Sequence, residues 1–265
     1  MKKRVISAIV ALLIVIPLLV LGGYWFYTAI GVVGLIAFYE LISLRETEKK
    51  LPVFIKFVVM IAFLMLMMSG TTNDVIFSLD YRLLTIVLFM TLIPLIVYTD
   101  RKMYNCDDAF YLLGTTFFLG IAFNFLITIR NMGLDYIMYI VLITIMTDTF
   151  AHFFGTKIGR NKLCPSVSPN KTVEGLIGGT FFGTFIGSVY FLTFFNTEVG
   201  IFYIILTSLF LSLMAQFGDL VFSAIKRKYG VKDYGNIMPG HGGILDRLDS
   251  ILFAALAFTF VVTLL

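Results

Sequence analysis

The sequence has few of the residues that soluble enzymes use for catalysis and for covalent stabilisation. Charged residues make up only 14% of the 265 positions, and the chain contains two histidines and two cysteines. Cys106 and Cys164 are too few and too distant in sequence to predict a zinc site or a disulfide framework. The patterns GxSxG, HExxH and GxxxxGK followed by Ser or Thr do not occur. Their absence argues against the serine hydrolases, zinc peptidases and P-loop hydrolases that carry them.

Apolar residues, by contrast, make up 59% of the chain and include 28 phenylalanines. Runs close to or above the length of about 18 residues that crosses a bilayer recur from end to end. They lie at about 5–23, 25–44, 52–70, 83–99, 109–129, 134–154, 175–196, 200–222 and 250–265. The first run is too long for a signal peptide and lacks a convincing cleavage site, so we interpret it as a span. The sequence therefore predicts an all-α integral membrane protein with about nine transmembrane helices.

The basic residues predict how these helices are oriented. With nine spans and the amino terminus inside, 18 of the 20 Lys and Arg residues lie on the inner side, and only Arg82 and Arg130 lie outside. The positive-inside rule therefore predicts a cytoplasmic amino terminus and a carboxyl terminus on the far side. Topology and anionic lipid headgroups explain the basic excess without a nucleic-acid partner. We expect a multi-pass protein of the cell inner (plasma) membrane.

Polar residues divide the chain into two regions. Residues 1–135 have short loops with charges mostly at the flanks of spans, which is typical of a transmembrane scaffold. Glu40, near the inner end of the second span, is an exception, and the sequence leaves its role open between interfacial and functional. Residues 136–265 concentrate the remaining polar side chains within spans, and we predict that they form the catalytic region. No internal repeat of the kind found in many transporters is evident.

Three spans of the second region carry acidic residues near their predicted cytoplasmic ends. Asp148 shares a helix face with His152, Asp219 is followed on one face by Ser223 and Lys226, and the last span opens with Asp246, Asp249 and Ser250. An isolated charge in a span costs about 2.5–3.5 kcal/mol on insertion scales, so such residues are normally paired or functional. Because all three faces lie at the same end of their spans, we expect them to meet in a polar site.

The loop between the sixth and seventh spans predicts an anion-binding helix start. Ser168 suits the N-cap position and Pro169 the first helical turn, so the N–H groups there, with Lys171 and Thr172, would face an anion. The span that follows has Gly175, Gly179, Gly183 and Gly187 at every fourth position. This spacing predicts close helix packing, either within the subunit or across a homodimer.

The segment before the last span, NIMPGHGG, cannot continue a helix. Pro239 lacks a donor, and glycine backbone can approach a polyphosphate closely. Asp246 and Asp249 follow at the start of the last span, where oxygen ligands suit Mg²⁺. The surrounding cations are Lys226, Arg227, Lys228 and Arg247. Carboxylates among clustered cations are typical of a site that holds a polyphosphate through a metal.

These residues resemble a known family. The run SAIKRKYGVKDYGNIMPGHGGILDRLD, from Ser223 to Asp249, is closely similar to the signature of the phosphatidate cytidylyltransferase (CDP-diacylglycerol synthase) family, and DTFAHFFG and SPNKTVEG resemble two further segments of it. There are two departures. Met238 replaces a usual Leu, Ile or Phe, and His152 stands where Tyr is common, which leaves a role for His152 open.

The resemblance implies a Mg²⁺-dependent reaction in which CTP and phosphatidate give CDP-diacylglycerol and pyrophosphate. It leaves open whether a second metal ion takes part. It implies Asp219 and Asp246 as leading metal ligands, with Asp249 and Asp148 as further candidates. Phosphates would be held by Lys226, Arg227, Lys171 and Arg247, and His241 with Gly242 and Gly243 would line the pyrophosphate pocket. The rest of the substrate site would be shaped by Ser168, Asn170, Thr172, Glu174 and Ser223.

Three alternatives stay open at this stage. A CTP-dependent lipid kinase of the polyprenol type would share the membrane setting and the nucleotide but would transfer the terminal phosphate. A CDP-alcohol phosphotransferase would be expected to carry paired DxxDG and DxxxD patterns, which the chain lacks. An ion-coupled transporter would also keep carboxylates in its spans, although it would not explain the HGGxxDRxD run.

Overall fold

The structure is a computed structural model and describes residues 13–70, 81–98, 100, 102–195, 199–235, 237 and 242–263. Asn236, Met238, Pro239, Gly240 and His241 lie outside the described residues, so the roles predicted for His241 and for that part of NIMPGHGG stay predictions. Within these ranges the regular structure is helical apart from one two-stranded hairpin.

The described helices follow the apolar runs of the sequence. They are α1 (13–21), α2 (Gly23–Glu46), α3 (Val53–Met67), α4 (Tyr81–Leu92), α5 (Pro94–Val97), α6 (Cys106–Met132), α7 (Leu134–Lys157), α8 (Val173–Phe194), α9 (Ile201–Lys228) and α10 (Leu245–Val262). The hairpin consists of β1 (Lys162–Cys164) and β2 (Ser168–Thr172), which run antiparallel.

Five of these helices, α2, α6, α7, α8 and α9, are long and apolar enough to cross a membrane. Helix α3 and the α4–α5 segment are apolar but shorter. Helix α10 is not among the five because Asp246, Arg247 and Asp249 interrupt its apolar run at the start. The chain is therefore a helical, multi-pass membrane protein, which confirms the predicted class, while the number of nine spans stays a prediction.

The chain forms two compact units. One comprises Met1–Asn131 with Asp233–Leu245, and the other comprises Met132–Lys232 with Asp246–Leu265. In the first unit, α2 packs on α3 and α3 packs on α4. Its aromatic core stacks Phe38 on Phe63, with 4.6 Å between ring centroids, and sets Phe123 edge-on against Phe63. These units are defined by contacts within the fold, so the division into a scaffold (residues 1–135) and a catalytic region (residues 136–265) stays a prediction.

The second unit is built on contacts among α7, α8 and α9. The glycine stripe of α8 faces α7: a methyl group at Gly179 would lie 2.6 Å from the Thr147 carbonyl oxygen, and one at Gly175 would lie 2.7 Å from that of Ala151. Only glycine allows this approach of the two backbones. The structure thus confirms that the stripe packs helices, and it does so within the chain.

Hydroxyl and amide groups join the same helices. The hydroxyls of Tyr139 and Ser208 lie 2.7 Å apart, as do those of Thr147 and Ser212. Gln216 Nε2 donates to Thr180 Oγ1 at 2.9 Å, which links α9 to α8. Such interhelical bonds satisfy polar groups that hydrocarbon could not, so they stabilise the arrangement of α7, α8 and α9.

The predicted helix start at Ser168 is wrong. Residues Ser168–Thr172 form β2 instead, with Cys164 opposite Ser168 and Lys162 opposite Thr172, and α8 begins only at Val173. The N-cap is Thr172, whose hydroxyl accepts a hydrogen bond from the Gly175 N–H at 3.1 Å. Pairing with β1 is a contact between segments, and it overrides the local capping preference of a Ser-Pro pair.

Candidate functional site

The second unit brings together the acidic residues of three helices. Asp148 lies on α7, Asp219 on α9, and Asp246 and Asp249 on α10. Asp148 interacts with the Ser250 side chain and lies within electrostatic range of Asp219 and Lys171. Asp249 likewise lies within electrostatic range of Asp219, Asp148 and Lys226. The three acidic faces singled out from the sequence therefore meet in one cluster.

Two lysines are paired with carboxylates of this cluster. Lys171 Nζ lies 2.5 Å from Asp219 Oδ2, and both side chains keep about a third of their surface exposed. Lys226 Nζ donates to Asp246 Oδ1 at 2.6 Å, and this pair is nearly buried. Exclusion of water strengthens a charge-assisted bond, so the Lys226–Asp246 bond is the stronger of the two.

Two serines complete the polar surroundings of the cluster. Ser223 donates to Asp219 Oδ1 at 3.3 Å, from one helical turn further along α9. Asp249 Oδ1 accepts from the Ser250 N–H at 2.8 Å. Ser223, which the sequence placed on the face of Asp219 and Lys226, thus contacts the carboxylate directly.

The charges of the cluster do not balance among its members. Four carboxylates and two lysines make up the cluster, so its acidic side chains outnumber its basic ones. The donor set also fits Mg²⁺, because it consists of carboxylate oxygens. Among the residues that the structure describes, no three His, Cys, Asp or Glu side chains are grouped closely enough to hold a metal ion. Asp219 and Asp246 instead hold the lysine ammonium groups.

Several residues predicted to bind substrate lie on the hairpin or contact residues next to it. Arg227 donates to the backbone oxygens of Val167 and Val231, at 3.2 and 3.0 Å. Glu174 accepts from the backbone N–H and the side-chain amide of Asn161. Asn170 is exposed on β2. The structure thus gives Arg227 and Glu174 structural contacts, and their roles toward substrate stay predictions.

The remaining predicted residues lie at the start of α10 and before it. Arg247 is exposed. Gly242 and Gly243 belong to the first unit, and Gly242 has a φ of 85°, a backbone conformation that favours glycine. Gly243 packs against the Glu40 carboxylate, where a methyl group would lie 2.6 Å from both oxygens. Glu40 is therefore the residue whose contacts the sequence did not reveal, because they join positions 204 and 205 residues apart.

Comparison with known proteins shows the class of protein to which this chain belongs. Residues 2–265 match the Cytidylyltransferase family. The chain belongs to that family, and it is a nucleotidyltransferase.

Individual relatives are similar over nearly their full length. A phosphatidate cytidylyltransferase of Staphylococcus aureus (strain COL) is 38% identical over 256 residues, which cover 96% of this chain and 95% of the relative. Proteins of the same name from Staphylococcus haemolyticus and Bacillus subtilis are 36% and 35% identical over 254 and 258 residues, again covering 96% of this chain, and 95% and 94% of the relatives.

Proposed function

We propose that this chain transfers the cytidylyl group of CTP to phosphatidate, forming CDP-diacylglycerol and pyrophosphate in phospholipid biosynthesis. The observation that carries the proposal is the cluster of Asp148, Asp219, Asp246 and Asp249 with Lys171 and Lys226, in a membrane protein of the cytidylyltransferase family. Relatives named for this activity match almost the whole chain, which supports the same substrates here.

The reaction needs charge neutralisation more than it needs a strong base. A phosphate oxygen of phosphatidate attacks the α-phosphorus of CTP, and the bond from that phosphorus to the bridging oxygen of pyrophosphate breaks. The nucleophile is already ionised near neutral pH, so no side chain has to remove a proton from it. Lys226 and Lys171 would hold phosphate oxygens as negative charge shifts to the leaving pyrophosphate. Arg227, Arg247 and His241 are further candidates for this role.

The carboxylates would hold Mg²⁺, and we propose Asp219 and Asp246 as its leading ligands, with Asp249 and Asp148 as additional ones. A bound Mg²⁺ would neutralise phosphate charge and orient the nucleotide. For this, the lysine contacts of Asp219 and Asp246 would be exchanged for the ion, and the ammonium groups would be released toward phosphate. The surplus of carboxylates over lysines in the cluster supports a divalent ion at this site.

We further propose nine spans, an amino terminus in the cytoplasm and a site that faces the cytoplasm of the plasma membrane. The distribution of 18 of 20 basic residues supports this topology. A cysteine placed at Asn196 should react with a membrane-impermeant reagent added outside, whereas one at Asn236 should react only after the membrane is opened. The reverse pattern would contradict both the topology and the location of the site.

The proposed partners are CTP, phosphatidate and the surrounding lipid, without nucleic acid. A homodimer, if one forms, would have to use a surface other than the glycine stripe, because α7 already covers that stripe. The molecular mass of the purified protein in detergent, corrected for bound detergent, would separate a monomer from a dimer.

Labelled CTP separates the proposed reaction from phosphate transfer by a polyprenol-type kinase. Purified protein is incubated with Mg²⁺, phosphatidate and CTP labelled at the α- or the γ-phosphorus, and Asp246→Asn serves as the inactive control. We expect α-label in the lipid product and γ-label only in pyrophosphate. Label from the γ-position in the lipid would contradict the proposal, and electrogenic ion flux in liposomes without lipid product would favour a transporter.

A further inference from the structure

Glu40 is a buried carboxylate on α2 of the first unit, and the proposed reaction does not use it. Its exposed fraction is 3%, and its neighbours on the same helix, Phe38 and Leu41, are equally buried. An ionised carboxylate in such surroundings is costly unless its oxygens accept hydrogen bonds. The partners of Glu40 therefore indicate why the residue is there.

Both oxygens of Glu40 accept hydrogen bonds from backbone at the start of α10. Oε1 accepts from the Ile244 N–H and Oε2 from the Leu245 N–H, each at 2.9 Å. The first N–H groups of a helix have no partner within that helix, and a negative charge near them is favourable. Glu40 thus serves as an N-cap supplied by a distant helix.

Two glycines let the backbone approach the carboxylate. A methyl group at Gly235 would lie 2.8 Å from Glu40 Oε1, and one at Gly243 would lie 2.6 Å from both oxygens. A carbon atom at these distances would overlap the oxygens and displace either the carboxylate or the backbone. The backbone at Gly235 and at Gly243, both before the start of α10, therefore fits closely around Glu40, which gives Gly243 a structural reason to be glycine.

We infer that Glu40 is a positioning residue, which sets the start of α10 and so the place of Asp246, the residue directly after Leu245 in the chain. The effect on catalysis rests on the proposed function, whereas the effect on the backbone does not. The inference predicts that the loss of Glu40 loosens the amides of Ile244 and Leu245 before it unfolds the protein. It also predicts that Gly243 and Glu40 act through the same contact.

The first test compares Glu40→Gln with Glu46→Gln by hydrogen exchange of the detergent-solubilised full chain. Glu46 is a matched control, because it also lies on α2 and also accepts a backbone N–H, that of Leu51, besides pairing with Lys56. Glu40→Gln should speed exchange of the Ile244 and Leu245 amides about tenfold or more, as expected for losing a charged acceptor. Glu46→Gln should leave those two amides unchanged. Unchanged exchange in Glu40→Gln would overturn the inference.

The second test uses the glycine and does not depend on the fate of Glu40→Gln. Gly243→Ala should speed exchange of the same amides, whereas Gly114→Ala, where a methyl group meets no atom within 4 Å, should not. If the two residues act through one contact, Gly243→Ala should speed exchange of these amides much less in a Glu40→Ala background than in the native chain. Additive effects of the two substitutions on exchange would overturn the inference.

Activity adds a readout that a general folding defect would not change. A smaller folded fraction lowers the maximal rate but leaves the KM for CTP unaltered, whereas displacement of Asp246 should raise that KM several-fold in Glu40→Gln. An unaltered KM beside a lowered rate would limit Glu40 to a structural role and contradict its effect on the site. If the native protein does not convert CTP and phosphatidate, the proposed function fails, and the exchange experiments still decide the contact.

Discussion

Two aspartates, one in each unit, show how the same side chain is used in different ways. Asp108 in the first unit is completely buried and is held by Arg45 at 2.8 Å, Lys49 at 2.6 Å and the Asn105 N–H at 3.1 Å. Asp219 in the second unit keeps 31% of its side chain exposed and is held by Lys171 and Ser223. Asp108 is paired with two cations, whereas Asp219 lies near the carboxylates of Asp148 and Asp249.

The difference separates a structural ion cluster from a candidate site. A buried carboxylate whose oxygens are all occupied has little capacity left for a ligand, and removing it leaves buried cations behind. A cluster that has an excess of one charge and is partly open to solvent is stabilised when a counter-ion or a charged substrate binds. The comparison therefore predicts opposite outcomes for substitutions in the two places.

The largest effect is expected at the carboxylates of the second unit. Asp219→Asn and Asp246→Asn should each lower turnover by about a thousandfold or more, because they remove charge that would hold Mg²⁺, at about 1.4 kcal/mol per decade. The unfolding temperature in detergent should change little for Asp219→Asn, whose pair with Lys171 is partly exposed. The pair of Asp246 with Lys226 is nearly buried, so the turnover of Asp246→Asn is measured per folded molecule. Asp107→Asn, an exposed neighbour of Asp108, serves as the control. Near-normal turnover in both variants would mean that the metal lies elsewhere and that the carboxylates of the second unit are not the site.

Substitution of a buried lysine tests whether the cations of the cluster act on phosphate. Lys226→Ala should reduce turnover by roughly ten- to a thousandfold, since a charge-assisted contact in a dry site is lost. Lys56→Ala is a matched control, because Lys56 forms a partly buried pair with Glu46 at 2.8 Å in the first unit. A loss of turnover in Lys56→Ala as large as in Lys226→Ala would mean that ion pairs in general, and not this cluster, matter for activity.

Asp108→Asn should show the reverse pattern. Removing the charge leaves Arg45 and Lys49 without their shared carboxylate, which should lower the free energy of unfolding by about 3 kcal/mol. Turnover per folded molecule should stay close to that of the native chain. Thermal unfolding in detergent, followed together with the specific activity of the folded fraction, gives both quantities. A large loss of specific activity at unchanged stability would show that Asp108 belongs to a functional site.

The smallest effect concerns the corrected start of α8. Thr172→Ala removes the hydroxyl that accepts from the Gly175 N–H, and it should lower the free energy of unfolding by about 1 kcal/mol. Ser168→Ala should change it by less than about 0.5 kcal/mol, because Ser168 lies in β2 and caps no helix. A larger effect at Ser168 than at Thr172 would support the original prediction that the helix begins at the Ser-Pro pair.

Sequence patterns predicted the parts of the site that depend on spacing along one helix. Asp219 and Ser223 were expected on one face of α9, and they are in contact. The partners of Lys226 and Arg227 were not predictable in this way, since Lys226 binds Asp246 on another helix and Arg227 binds backbone at Val167. Spacing within a helix determines which side chains share a face, but it contains no information about the neighbour that the face meets.

The sequence alone determined that this is a helical membrane protein, because insertion into lipid depends on local apolar length. It also predicts that the chemistry lies in the carboxyl-terminal half, because polar residues within spans are rare. Only the tertiary structure decided that Ser168–Thr172 is a strand, that the glycine stripe faces α7 and that Glu40 caps α10. Each of these depends on a contact between distant segments. The free energy of such a contact is set by packing and by hydrogen-bond partners, which no local pattern records.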